Sequence, residues 1–242
     1  MNIKPPSSQA GRMHWAILVG ALVVVVLAVL TATVLMNNEG GESLESTLDA
    51  RAAALASPDA PTLGNPDAPV HIVEFIDPAC ETCALFYPMV KKWLEEAPDQ
   101  LRLSIRHVPF HRGADYAVKV LEASRAQGKY WETLEAMLAT QGKWTQHHTV
   151  LPEQIAPAIA SVGLDMVRLK ADMESENVKA RMDQDFKDAV FLKVSATPEY
   201  FVNGRQLPSF GRQQLLDLVR TRFDYLVPTA TTDLVIKVGK TM

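Results

Sequence analysis

Two cysteines separated by two residues are the part of this sequence best suited to chemistry. Cys80 and Cys83 are its only cysteines, and Glu81 and Thr82 lie between them. The pair follows a short apolar run and opens a segment with helical periodicity. Cys80 is therefore predicted at a helix N-terminus, where free amide N–H groups and the helix dipole favour a thiolate. One turn later, Cys83 can close a ring with Cys80 and release a captured substrate. The spacing predicts thiol–disulfide exchange, with Cys80 as the nucleophile and Cys83 as the resolving thiol.

A Cys-x-x-Cys pair is also half of a four-ligand zinc site, which leaves a second interpretation open. The chain has no second cysteine pair, but four histidines offer further ligands: His107, His111, His147 and His148. Histidines in a polar loop, such as the last two, are usually only solvated, and we assign no metal ligand. A thiol-based copper or zinc-binding module on the same scaffold is the alternative function. A non-catalytic binding protein is a third class, which the intact cysteine pair disfavours.

Strands and helices alternate around the cysteine pair. Residues 70–76 are β-branched and aromatic, which is typical of a buried central strand, and they end just before the cysteines. A helix follows the pair. The later elements are predicted to be a strand at 101–106, a helical stretch at 114–190, a strand at 198–202, a hairpin turn at Asn203-Gly204 and a helix at 212–223.

An uncharged stretch near the N-terminus predicts a single membrane-spanning helix. Residues 15–36 are 22 residues without charge or proline, enough to cross about 30 Å of hydrocarbon. Lys4 and Arg12 precede this stretch and acidic residues follow it, so residues 1–14 are expected in the cytoplasm and the rest outside. A cleaved signal peptide is the alternative, but Val34-Leu35-Met36-Asn37-Asn38 offers no small-x-small cleavage site.

The remaining boundaries follow from composition. Residues 37–61 are rich in Gly, Glu, Ser and Ala and are predicted to be a linker. Residues 62–225 are predicted to form the folded domain, and residues 226–242 a tail with a candidate strand at 234–236. With 48% apolar residues the chain can bury a full core. A net charge of −4 with scattered basic residues argues against nucleic acid as a partner.

Taken together, these motifs resemble the DsbA-like branch of the thioredoxin superfamily. The resemblance is carried by residues 64–70, residues 72–75, the Cys80-Glu81-Thr82-Cys83 motif and residues 196–204. It implies an α/β thioredoxin-like fold with an inserted helical domain. It also implies that Pro198 is a cis-proline facing the cysteines. The backbone of Thr197 would then be free to pair with an extended substrate segment.

Two acidic residues acquire roles from this resemblance. Glu74 matches the buried acid of the superfamily; burial would raise its pKa and allow it to accept the proton of Cys83. Glu81-Thr82 departs from the family, because many relatives carry proline or histidine there. The carboxylate of Glu81 opposes a thiolate on Cys80, which predicts a less oxidising disulfide than a histidine-containing motif gives. Asp77 and Glu81 are also expected to repel acidic substrates.

The expected function is disulfide exchange with extracytoplasmic proteins that carry cysteines or disulfides. We expect the enzyme at the bacterial inner membrane, anchored by residues 15–36, with its catalytic domain in the periplasm and with a membrane redox partner. The exchange requires no cofactor. Whether the enzyme oxidises, reduces or isomerises depends on its reduction potential, which is not written in the chain.

Overall fold

The computed structural model describes the backbone of residues 9–226 and the side chains of residues 20–33 and 45–222. The helices are α1 Gln9–Ala56, α2 Glu81–Glu96, α3 Ala114–Ser124, α4 Tyr130–Ala139, α5 Gln141–Trp144, α6 Pro152–Ala158, α7 Met166–Met173, α8 Glu176–Phe191 and α9 Arg212–Leu226. The strands are β1 Thr62–Gly64, β2 Val70–Ile76, β3 Leu101–His107, β4 Thr145–Gln146, β5 Thr149–Val150, β6 Glu199–Val202 and β7 Arg205–Gln206. The candidate strand at 234–236 lies outside the described residues, as does the rest of the predicted tail beyond Leu226.

The predicted membrane span falls within α1. Among the described residues, no helix has both the length and the apolar content required to cross a bilayer. Residues 15–19 and 34–36 of the predicted span lie outside the side chains that are described.

A five-stranded sheet, in the order β1-β3-β2-β6-β7, is the centre of the described fold. β2 runs parallel to β3 and antiparallel to β6, while β1 and β7 pair antiparallel at the two edges. Parallel neighbours require a crossover connection, and α2 supplies it. The β2–α2–β3 unit therefore places the cysteine pair just beyond the end of the central strand. The predicted α/β architecture is confirmed.

β2 is central because it is apolar on both faces. Successive side chains of a strand point to opposite faces. Ile72 and Ile76 accordingly enter the main core cluster with α2, whereas Val73 and Phe75 enter a smaller cluster on the other side. Glu74 shares the face of Ile72 and Ile76, and this alternation places its carboxyl on the side of the sheet that α2 covers.

The folded domain begins earlier than predicted. The chain divides into two compact units after Ala50, and α1 extends to Ala56, so the predicted linker at 37–61 is largely helical. Ala54 and Leu55 are buried in the smaller core cluster. The boundary moves because these two apolar side chains are removed from water by packing against the sheet, which a composition-based boundary does not detect.

A buried arginine connects β3 with α8 and with the end of α1. The side chain of Arg106 is fully buried, and it donates from Nε to Asp185, from Nη2 to Asp188 and from Nη1 to the carbonyl of Ala54. A buried guanidinium must be paired in this way, because an unpaired charge in the interior costs several kcal/mol.

Helices α3 to α8 form the predicted insertion, at residues 114–191 rather than 114–190. The insertion also contains a hairpin, β4–β5, which the sequence did not indicate. His147 and His148 form its tip, and both have left-handed backbones, with φ of 48° and 58°.

Candidate active site

Cys80 is the N-cap residue of α2, and Cys83 lies in the first turn. The Cys80 backbone is extended, with φ of −81° and ψ of 119°, so the helix begins at Glu81. Its N–H donates to the carbonyl of Asp77 at 3.0 Å, and its carbonyl accepts from the N–H of Ala84 at 3.2 Å. Both cysteines are free thiols; Cys80 is 6% exposed and Cys83 is 0% exposed. Cys80 is therefore the sulfur that a substrate can reach.

The pKa of Cys80 is lowered from its ordinary value of 9.0 to about 5. The largest cause is a hydrogen bond from the thiol of Cys83; burial of Cys80 opposes it, and the backbone N–H groups of Cys83 and Thr82 and a hydrogen bond with Thr197 reinforce it. In the protonated state, Cys80 Sγ donates to the carbonyl of Thr197 at 3.2 Å. At neutral pH the sulfur is a thiolate, which is the nucleophilic form.

Cys83 has the opposite electrostatics. Burial raises its pKa far above the ordinary value, and the hydrogen bond to the sulfur of Cys80 and the negative charge of Glu74 raise it further. Cys83 therefore stays protonated and donates its proton toward the Cys80 thiolate. The two sulfurs share one proton near neutral pH, and it resides on the buried one.

Glu74 is fully buried on β2, as predicted. Its Oε1 accepts a hydrogen bond from the Tyr200 hydroxyl at 2.9 Å, and its Oε2 has no hydrogen-bond partner among the described residues. Burial raises the pKa of Glu74 to about 8; the Tyr200 hydrogen bond opposes this rise, and the charge of Cys80 adds to it. A carboxyl that titrates near neutral pH can exchange protons during catalysis. Its role as the acceptor of the Cys83 proton stays a prediction.

The Thr197–Pro198 peptide bond is cis, so the conformation that the resemblance implied is confirmed. It immediately precedes β6, which pairs with β2. The contact between Cys80 Sγ and the carbonyl of Thr197 places this segment against the cysteine pair. The roles of Thr197 and Pro198 in substrate binding stay predictions.

Asp77 organises the loop between β2 and the cysteines. Its carboxylate is fully buried; Oδ1 accepts from the N–H of Ala79 at 2.8 Å, and Oδ2 accepts from the backbone N–H and the Nδ1 of His111, both at 2.7 Å. The expectation that Asp77 repels acidic substrates is wrong, because this carboxylate is withdrawn from the surface and hydrogen-bonded.

Sequence reasoning missed Gln141, a buried residue at the start of α5. Its Nε2 donates to the carbonyls of Pro78 and Cys80 at 2.7 and 3.0 Å. The insertion is therefore hydrogen-bonded to the loop that carries Cys80. Gln141 is 61 residues beyond Cys80 and belongs to no motif, so the sequence carries no signal for this contact.

Glu81 faces a histidine of the insertion. Its Oε2 lies 3.3 Å from Nδ1 of His148, and both side chains are more than half exposed. The ring of His148 stacks on His111, with ring centroids 5.5 Å apart. His148 is thus mostly exposed, as expected of a loop histidine, but it also contacts Glu81 and His111. By contrast, the Nδ1 of His107 is 3.2 Å from the buried Glu122, in a separate network.

The carboxylate of Glu81 was expected to disfavour the thiolate of Cys80. Its pKa is nevertheless low, because hydrogen bonds to its sulfur, one of them from the backbone of Thr82, supply the stabilisation. The side chain of Glu81 is 59% exposed, and solvent screens an exposed charge strongly.

A helix opened by Cys-x-x-Cys at the end of a central strand, with a cis-proline opposite, defines the thioredoxin-like thiol–disulfide oxidoreductases as a class. Residues 56–219 match the family model Thioredoxin_4, which is described as thioredoxin. The chain belongs to this family. The helical insertion in a thioredoxin-like fold is confirmed.

Individual comparisons agree with this assignment. The structure is similar to a thioredoxin-like oxidoreductase from Silicibacter pomeroyi DSS-3, with 30% identity and a TM-score of 0.62 over 72% of this chain and 97% of that one. It shares its fold with the thiol-disulfide exchange protein alpha-DsbA2 from Wolbachia pipientis, at 17% identity and a TM-score of 0.61 over 76% and 96% of the two chains.

Curated sequences that match the chain are much longer. The Na(+)/H(+) antiporter NhaA of Herminiimonas arsenicoxydans is 33% identical over 144 residues, which is 60% of this chain and 22% of that protein. The chain thus spans about a fifth of the length of the curated relatives it matches. The antiporter name describes those proteins as wholes.

Proposed function

We propose that this chain is a membrane-anchored oxidoreductase that exchanges disulfides with extracytoplasmic proteins through Cys80 and Cys83. The contrast between the two thiols carries the proposal. The reachable sulfur of Cys80 is ionised near neutral pH, and the buried Cys83 keeps its proton within hydrogen-bonding reach. A nucleophile and a resolving thiol require this asymmetry. It disfavours the alternative, a thiol-based copper or zinc module, which needs both sulfurs deprotonated.

In the oxidising direction, a substrate thiolate attacks the sulfur of Cys80 within a Cys80–Cys83 disulfide. That bond breaks, a mixed disulfide forms between the substrate and Cys80, and the electron pair and a proton go to Cys83. A second substrate thiolate then attacks the substrate sulfur of the mixed disulfide, and Cys80 leaves as a thiolate. The substrate loses two electrons and the chain gains them. Glu74, with a pKa of about 8, would supply the proton of Cys83 and take it back on re-oxidation.

The low pKa of Cys80 supports the oxidising direction. At pH 7, lowering a thiol pKa from 9.0 to about 5 stabilises the reduced form by roughly 3 kcal/mol, which makes the couple about 60 mV more oxidising. Cys83 contributes little to this difference, because it is protonated at pH 7 with or without the shift. A membrane redox partner that accepts two electrons from the dithiol would regenerate the disulfide.

Substrate contact is proposed along the segment that precedes β6. The carbonyl of Thr197 faces Cys80 Sγ, so an extended substrate chain that pairs with this backbone would carry its cysteine to Cys80. The cis Pro198 next to it has no N–H, so Thr197 supplies the polar backbone groups at this point.

Anchoring by residues 15–36 is part of the proposal, with the N-terminus in the cytoplasm of a bacterium and the catalytic domain in the periplasm. Two observations support it. The described side chains at 22–27 and 29–30 are all leucine or valine, and they belong to a stretch without ionisable groups. The large ones are between 49% and 66% exposed around the whole helix, as on a helix that meets lipid on all sides.

The test is oxidation of a reduced, unfolded protein by the full-length chain in its disulfide form, followed by mass spectrometry. With an oxidised protein as substrate, Cys83→Ser should accumulate a mixed disulfide, because its Cys80 thiolate attacks a substrate disulfide, one substrate sulfur leaves as a thiolate, and no resolving thiol follows. Cys80→Ser should form none. A chain lacking residues 1–36 should keep this activity in vitro and lose it in cells. The proposal fails if the wild-type chain neither oxidises protein thiols nor reduces protein disulfides.

A further inference from the structure

The β4–β5 hairpin brings a third polar side chain to Glu81 and His111. Both tip residues, His147 and His148, have positive φ, which is the backbone of a type I′ turn and is usually provided by Asn-Gly. A left-handed conformation costs a non-glycine residue roughly 1–2 kcal/mol. Both His147 and His148 carry this cost. In this conformation, Nδ1 of His148 lies 3.3 Å from Oε2 of Glu81.

The resulting cluster has the spacing of a metal site. One ligand atom from each of Glu81, His111 and His148 lies within 4.8 Å of the other two. Ligand atoms around a tetrahedral Zn²⁺, at bonds of about 2.0–2.1 Å, are roughly 3.3 Å apart. The Glu81–His148 pair already has this separation. The spacing of the full set, up to 4.8 Å, exceeds this separation, and rotation of the exposed side chains of Glu81 and His148 can shorten it.

His111 is held in the form that a metal requires. Its Nδ1 donates to Oδ2 of Asp77 at 2.7 Å, and the same carboxylate oxygen accepts the backbone N–H of His111. Nδ1 therefore faces the carboxylate, and Nε2 is the ring nitrogen left to face a metal ion. A buried carboxylate behind a histidine is the arrangement that orients metal-ligating histidines in many proteins.

We propose that Glu81, His111 and His148 bind a divalent transition metal ion, Zn²⁺ in the first instance, beside the cysteine pair. Two imidazoles and one carboxylate suit Zn²⁺, and this ligand set leaves a fourth position open for water or for a group from a substrate. Neither cysteine is a ligand, so the site persists in both redox states of the pair. The proposal therefore does not depend on disulfide exchange.

The test is titration of the full-length chain carrying Cys80→Ser and Cys83→Ser with Zn²⁺ alone, followed by calorimetry. We expect a single bound Zn²⁺ per chain. His148→Asn and Glu81→Gln in that background should each weaken binding at least tenfold, because each removes a ligand. His147→Asn is the matched control: it changes the neighbouring tip residue, asparagine also tolerates the left-handed turn, and binding should be unchanged.

Co²⁺ provides a second readout, since its visible absorption reports tetrahedral coordination. The spectrum should form in the cysteine-free chain and in the His147→Asn variant, and it should be lost in His148→Asn. Zn²⁺ binding that requires the cysteines would overturn the proposal, because the thiols would then be the ligands. An equal loss of affinity in His147→Asn and His148→Asn would overturn it as well, provided that thermal unfolding shows both variants to be folded.

Discussion

Removing the thiol of Cys83 should raise the pKa of Cys80, because the hydrogen bond from Cys83 is the largest cause of its low value. A hydrogen bond to a charged group contributes about 1.5–3 kcal/mol, and about 1.4 kcal/mol corresponds to one pKa unit. In Cys83→Ala the pKa of Cys80 should therefore rise from about 5 to roughly 6–7. Cys83→Ser retains a hydroxyl donor, so the pKa of Cys80 in this variant should lie between the wild-type and Cys83→Ala values.

The assay is the pH dependence of iodoacetamide alkylation, followed by mass. Both variants have a single thiol, so their profiles report Cys80 alone. Only the midpoint of the profile is diagnostic, since a thiolate of higher pKa is also the stronger nucleophile and raises the plateau. A wild-type midpoint near about 8.5, the value of an ordinary thiol, would refute the reasoning. Identical midpoints in wild type and Cys83→Ala would refute the assignment of the cause.

Three further predictions concern residues around the pair. The free energy of unfolding of wild type, compared with that of Glu74→Gln, should fall as pH rises from about 4.5 to 8. The folded carboxyl holds its proton up to about pH 8, whereas the unfolded one loses it near 4.5. Urea titrations should show a limiting slope of about 1.4 kcal/mol per pH unit. Gln141→Ala should lower that free energy by about 1–3 kcal/mol by leaving two carbonyls without a donor, whereas the exposed Gln213→Ala should change it by less than about 0.5. Arg106→Met should cost about 3–5 kcal/mol because two aspartates lose their partner, and the exposed Arg168→Met should cost less than about 1.

The parts of the fold that depend on neighbouring residues could be predicted from the sequence. β2 begins and ends at Val70 and Ile76 as predicted, because an uninterrupted β-branched and aromatic run has no stable exposed face. The start of α2 at the cysteine pair follows from the same local pattern. The domain boundary could not be predicted, because burial of Ala54 and Leu55 depends on Phe75 and Phe201, which are distant in sequence.

The candidate site divides in the same way. Cys80, Cys83 and Pro198 belong to motifs that can be recognised from sequence alone. Gln141 could not be found, and His148 could be named only as one of four candidate histidines, since the contacts of both residues depend on how α5 and the β4–β5 hairpin pack over the cysteine loop. Their positions depend on tertiary structure, which neither the residue type nor the spacing in the sequence indicates.

The insertion also determines the electrostatics of the pair. α4 holds α2 through Glu135, whose Oε1 accepts from the Tyr87 hydroxyl at 3.3 Å and from Nζ of Lys91 at 2.6 Å. Together with the hydrogen bonds from Gln141, this fixes the first turns of α2 against the sheet and keeps Cys83 out of water. Burial is the largest cause of the high pKa of Cys83, and the proton that Cys83 retains is the largest cause of the low pKa of Cys80. The reactivity of Cys80 therefore depends on packing by helices that contain neither cysteine.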